Sequence, residues 1–286
     1  WIRVKTDKNT MATVSFNYTS PDIRSTSSDS IYKGLTTVDK TTTTGGLLYG
    51  LGDNRRALGL LANVTVDGKI SETGYYEMGD KLELIRKEDA KTADLIRSKF
   101  AIPQQVISIE ESSVLVVDDL GRRWRLPLGN ETYKKLTDQG VLRICREVAT
   151  ERDLFSCMGT FYELPAENAD GYAKIRPVST HNYRINDYAS YRGMLVLTGV
   201  TPEDGKENPH VVISDDGKAA VWVGVIDDLW TLGKPVGQGG PWKDTDVKTD
   251  VASDPYLIAF YDKKELSLSH RSDKNVCLLY TSPSPR

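Results

Sequence analysis

Three histidines and three cysteines are all that 286 residues supply. No Cys/His cluster, His-Glu-x-x-His or calcium-loop spacing occurs, so no metal site is expected. Cysteine this sparse does not make a disulfide scaffold. Cys145 and Cys157 flank an expected hairpin turn at Ala149–Arg152. They either face one another across two strands or stand as two buried free thiols, the reading preferred here. Charge of one sign is missing too: 37 basic residues against 40 acidic ones leave a net charge of -3. Without a polycationic footprint, no nucleic-acid partner is expected. No apolar run approaches the ~18 residues of a membrane span. The glycines at Gly45-Gly46 and Gly50-x-Gly52 follow a threonine run without a strand–helix–strand context. Nucleotide binding, and a cofactor in general, is therefore not expected. A Gly-x-Ser-x-Gly elbow is also missing.

What is present is β-sequence. Ala12–Tyr18, Ser113–Asp119, Gly193–Val200 and Ala219–Ile226 are runs of β-branched, aromatic and aliphatic residues bounded by Gly, Asp, Asn or Pro. The last two are nearly continuous rather than alternating, which suits strands buried on both faces. Two short helices are expected as insertions. Glu88–Lys99 carries Ala, Leu and Ile at helical spacing, and Glu131–Gln139 has Asn130 as cap and Gly140 as stop.

Asp-rich turn signals recur at Asp67-Gly68, Asp119-Leu-Gly121, Asp170-Gly171, Asp216-Gly217 and Asp262-Lys263, with gaps of 52, 51, 46 and 46 residues between the aspartates. Asp-Gly between extended runs favours a two-residue type I′ turn. A period of about 50 residues in an all-β chain is that of a four-stranded propeller blade. The expected fold is all-β: a β-propeller of four-stranded antiparallel blades over residues 1–276, about five of them, forming an incomplete ring.

Four strings carry a family resemblance: Arg152–Asn168, Arg176–Val200, Ile226–Thr245 and Ser253–His270. With them, the chain resembles a family of large secreted β-propeller proteins of polysaccharide-degrading bacteria. The resemblance implies a propeller fold, an extracellular or periplasmic location and a carbohydrate-rich setting. It brings no reaction and no catalytic residue with it. The last ten residues, Cys277–Arg286, resemble the in-frame translation of a transposase adapter used to prepare sequencing libraries. They are expected to pack loosely, with Leu278 and Leu279 free to dock as the end of an interrupted strand.

In a propeller, polar residues just before an inner strand line the channel mouth, which singles out Arg152, Asp153, Tyr191, Arg192 and Asp254. Arg192 can hold a uronate or sulfate with its planar fork. His181 is the histidine nearest Tyr191 and Arg192 in sequence. Base, phenol and anion-binding group together suit proton abstraction beside a carboxylate, as in polysaccharide β-elimination. Asp153, Glu163, Asp187 and Asp254 are candidates for the paired carboxylates of a glycosidase. The Gly239–Asp244 loop is the most distinctive: Trp242 offers a stacking surface rimmed by Lys243 and Asp244, and Trp230 is a second aromatic. The expected function is a carbohydrate-active or carbohydrate-binding propeller, a lyase or glycosidase, with a polysaccharide or oligosaccharide as partner. The alternative is a non-catalytic glycan-binding or protein-interaction module.

Overall fold

The computed structural model describes residues 1–21, 31–37, 42–51, 56–67, 69–99, 107–129, 131–133, 143–147, 152–165, 169–203 and 205–281. Two strands open the chain, β1 (Arg3–Thr6) and β2 (Thr10–Thr19). A four-stranded antiparallel meander follows, built from β3 (Thr42–Leu51), β4 (Ala57–Val66), β5 (Lys69–Met78) and β6 (Leu84–Lys87). Helix α1 (Ala90–Lys99) comes next, and Asp89 caps it by accepting from the Thr92 amide at 3.0 Å. Of the second expected helix, only residues 131–133 lie among the described residues.

A three-stranded sheet then forms from β7 (Ile107–Ile109), β8 (Val114–Val117) and β9 (Arg123–Leu126). A second four-stranded meander holds β10 (Arg143–Glu147), β11 (Arg152–Cys157), β12 (Thr160–Leu164) and β13 (Arg176–Thr180). The next sheet runs in the order β14 (Asp187–Tyr191), β15 (Met194–Thr198), β17 (Ala220–Gly224) and β16 (Val211–Ile213). Last come β18 (Gly237–Val247) and β19 (Lys263–His270), which pair with either side of β2, and β20 (Leu278–Thr281), which pairs with β1.

The all-β expectation holds. The ring does not follow from it: among the described residues there is no closed propeller, and the strands fall into six separate antiparallel sheets. Hydrophobic clusters fix which sheets are neighbours. Leu48, Leu60 and Tyr76 of the β3–β6 sheet share a cluster with Tyr191, Val196 and Val221 of the β14–β17 sheet. Tyr188, Leu197 and Trp222 of the latter share another with Leu154, Phe161 and Val178 of the β10–β13 sheet. Phe155 and Tyr162 then join Val14, Val116 and Trp242 in the largest cluster. Among the described residues the β3–β6 sheet shares no cluster with β7–β9, its neighbour along the chain, whereas chain-adjacent blades of a propeller pack together.

Period-two geometry explains the near-continuous apolar strands. Along β15, Leu195 and Leu197 enter one cluster and Val196 the other. A sheet packed on both faces needs both sets, and all five residues of β14 are buried.

The five Asp turns are not one recurring device. Asp67 (φ 47°) closes the β4–β5 hairpin, residues 118–122 close β8–β9, and Asp216-Gly217 closes β16–β17. Asp170 (φ 76°) instead caps a 3-10 turn at Gly171–Lys174, and Asp262 merely leads into β19. Two other tight hairpins carry paired positive φ values, Met158-Gly159 (53° and 77°) and Arg192-Gly193 (51° and 77°). In the backbone register of β10 on β11, Cys145 pairs with Leu154, so the two cysteines are not cross-strand partners. The Cys157 thiol is free and buried, and burial pushes its pKa up to about 12.

The described part of the tail, residues 277–281, is more firmly attached than expected. The Cys277 amide donates to Asp7 Oδ1 at 2.8 Å, β20 pairs in register with β1, and Leu278 leans on the largest cluster. Leu279 and Tyr280 stay exposed.

Candidate functional site

The expected catalytic trio does not assemble. His181 is 3% exposed, with the rings of Tyr133, Phe161 and Tyr183 around it. Its Nδ1 lies 3.0 Å from the Tyr133 hydroxyl and accepts from the Tyr183 amide at 3.2 Å. An accepting Nδ1 leaves the ring proton on Nε2. Burial pulls the pKa down to about 3, so the ring is neutral near pH 7 and has no solvent path to a substrate. Tyr191 is fully buried in the cluster between the β3–β6 and β14–β17 sheets. Arg192 caps it from the hairpin turn, with its guanidinium carbon 5.5 Å from the ring centroid and an ion pair to Asp80. Tyr191 and Arg192 therefore touch, and His181 belongs to a different packing layer. The channel-mouth assignment gives way to a tight turn on a packed hairpin.

The proposed glycosidase carboxylates are likewise dispersed. Asp187 is 1% exposed and accepts the Leu48 amide at 2.7 Å, fastening β14 to β3. Glu163 is paired with Arg176, its neighbour across β12 and β13. Asp153 sits mid-sheet on β11, in register with Arg146 and Leu164. Trp230 is 45% exposed on a 3-10 turn at Ile226–Thr231 and lines neither cleft described below.

The remaining four candidates do converge. Trp242, Lys243, Asp244 and Asp254 line two adjoining clefts between β18 and the β7–β8 turn. The larger, about 440 Å³, is bordered by Glu110, Arg125, Trp242, Lys243 and Asp254. The smaller, about 280 Å³, lies between Thr13, Glu131, Gly239, Trp242 and Asp244. Glu111, Ser112, Trp242 and Lys243 border both.

The glycine pair of the GlyGlyProTrp string builds this place. The Gly240 amide donates to the Ser112 carbonyl at 2.9 Å. A Cβ on Gly239 would stand 2.0 Å from that carbonyl oxygen, and one on Gly240 would stand 1.7 Å from the Val14 oxygen. Only glycine lets the β7–β8 turn and β2 approach β18 this closely. The pairing of β18 with β2 shifts register on both sides of Trp242, and Asp244 adopts φ 44°. Such bulges re-aim side chains, here toward the clefts.

Trp242 is 8% exposed and belongs to the largest hydrophobic cluster, so it walls the clefts rather than offering an open stacking face. Electrostatics centre on Arg125, a residue the sequence did not single out. Its Nε donates to Asp254 Oδ2 at 2.9 Å, and Nη1 donates to Glu110 Oε2 at 2.5 Å and Ser113 Oγ at 2.7 Å. Arg123 adds a contact to Asp254 at 3.2 Å. Lys243 Nζ reaches Glu111 Oε1 at 2.5 Å, and Asp244 takes Arg271 at 3.4 Å. Acidic residues at a hairpin turn opposite a Trp-Lys-Asp string are the only sequence trace of this arrangement.

No protein-family model, curated protein or solved structure matches the chain. Among the described residues no cluster of three or more His, Cys, Asp or Glu is arranged to hold a metal ion, and no helix is long and apolar enough to cross a membrane.

Proposed function

We propose that the protein binds a carbohydrate chain in the two clefts beside Trp242 and does not transform it. One observation carries the reading: an indole wall shared by two adjoining clefts in which Arg125 holds Glu110 and Asp254 and Lys243 holds Glu111. Sugar rings place C–H edges against indoles, and their vicinal hydroxyls donate to fixed carboxylates. Glu110 and Asp254, oriented by Arg125, are such acceptors. A polysaccharide or oligosaccharide partner and an extracellular or periplasmic setting belong to this proposal.

The family resemblance supports it, as does the connectivity of the β3–β6 and β10–β13 meanders. We infer that these two units are blade-like, each with four antiparallel strands in chain order. A second reading, glycoside hydrolysis, rests on Glu110 and Asp254 meeting at Arg125. Elimination through His181 has no such support, since that ring is enclosed.

A titration calorimetry panel of neutral, acidic and amino-sugar oligosaccharides tests the proposal. At least one is expected to bind. Glu110→Gln and Asp254→Asn should each weaken that binding about tenfold, the worth of one charge-assisted hydrogen bond. A panel with no binder at millimolar concentration refutes the reading. Reducing-end release that disappears in Asp254→Asn would instead establish the hydrolase.

A further inference from the structure

The clefts also carry information about ligand charge, an inference that rests on the carbohydrate-binding reading above. Five carboxylates line them: Glu110, Glu111 and Asp254 in the larger, with Glu131 and Asp244 added in the smaller. Among the described residues two cations do, Arg125 and Lys243. Arg123 and Arg271, which also pair with Asp254 and Asp244, line neither. A uronate or sulfate chain would enter against this balance.

The two cations are not equivalent. Arg125 is 12% exposed in its side chain and fastened by three hydrogen-bond acceptors, so it is part of the frame. Lys243 and Glu111 are 43% and 76% exposed, and both residues border both clefts. Their ion pair stands at the junction, and an exposed pair of this kind is weak and easily exchanged. Lys243 is thus an ammonium already seated on a carboxylate at the point where the clefts meet.

We infer that the ligand is an amino-sugar oligosaccharide, one of whose ammonium groups replaces Lys243 at Glu111 and joins the two clefts into one groove. The exchange is of one ammonium for another; no covalent bond forms or breaks, and Lys243 turns to solvent. Glu131 and Asp244 then face further ammonium groups along the chain.

The test titrates the full chain with a glucosamine tetramer, its N-acetylated counterpart, a galacturonate tetramer and tetralysine, at about 0.01 M and about 0.15 M salt. The glucosamine tetramer should bind about tenfold more tightly than the N-acetylated one at low salt, and the gap should narrow at high salt. Lys243→Ala should tighten glucosamine binding about two- to fivefold by removing the competitor, and Glu111→Gln should weaken it by a similar factor. Both side chains are exposed, so unchanged melting temperatures would confirm that neither variant disturbs the fold. Equal or tighter binding of the N-acetylated or galacturonate tetramer overturns the inference and leaves the carbohydrate reading standing. Equal binding of tetralysine, or no change in Lys243→Ala, overturns it as well. If no sugar binds, both fall.

Discussion

The His181–Arg192 stretch and the Gly239–Asp254 stretch look alike on paper: each combines aromatic, acidic and basic residues near turns. In the folded chain they are opposites. The first is largely sealed, with His181 and Tyr191 in two separate hydrophobic layers and Arg192 outside. The second is open, its Trp held in a core while its charged groups face two clefts. The difference lies in backbone approach. Arg192-Gly193 ends a tight hairpin whose first strand, β14, is buried along its whole length. Gly239-Gly240 draws a third segment, the β7–β8 turn, against a bulged strand, and the gaps beside the bulges remain as clefts. Polar residues mark a site only where packing leaves room for a ligand.

The sharpest way to break this contrast is through Tyr191. Tyr191→Ala should cost about 3–5 kcal/mol in urea unfolding, as for other large-to-small core changes. Tyr191→Phe should be neutral or stabilising, because the hydroxyl is buried without a hydrogen-bond partner among the described residues. A loss of more than about 1 kcal/mol in Tyr191→Phe would show that the hydroxyl has a role.

Next in size is pH. The His181 pKa is lowered on folding, so the unfolded chain binds the extra proton as pH falls below 6.5. Its contribution to stability is fully present above that pH and is lost as pH drops toward about 3. Over this window it should add a slope approaching 1.36 kcal/mol per pH unit. Urea titrations across the range should show a shallower dependence in His181→Gln. Identical slopes would place His181 in contact with water.

Arg125→Gln should cost about 1–3 kcal/mol, since Glu110 and Asp254 lose their shared partner. The smallest effect belongs to Arg192, exposed at the end of the sealed region. Arg192→Ala should change stability by less than about 1 kcal/mol and leave oligosaccharide affinity unchanged. Weakened binding in that variant would reopen the hairpin as part of a site.

Much of the architecture was legible. The apolar runs Gly193–Val200 and Ala219–Ile226 announced strands buried on both faces, and α1 had a readable spacing. The Gly239–Asp244 string was distinctive but was expected to be a loop; it lies inside strand β18, where the register shifts around Trp242 accommodate its glycines and proline. Turn spacing misled, because an aspartate before glycine serves a hairpin at Asp216 and a 3-10 cap at Asp170 alike. Neither tells which sheet packs on which. Arg125 and Glu110 were unreadable for another reason: Arg125 meets Asp254 across 129 positions of chain, and no local pattern records a partner that distant. His181 was misjudged because its burial comes from Tyr133 and Phe161, both far from it in sequence.

The alternation along β15 has a consequence for how the molecule opens. Its residues are divided between two clusters, so the β14–β17 sheet cannot lose its cover on one side without exposing half the support of the other. Amide protons of β14 and β15 should therefore exchange only on the rarest, most global excursions, and the sheets on either side should exchange as one cooperative unit with it. At the other extreme is β19, an edge strand all of whose residues are exposed. Its outward amides should exchange at rates close to those of free peptide, giving the chain a slow interior and a fast margin joined through a single strand, β2.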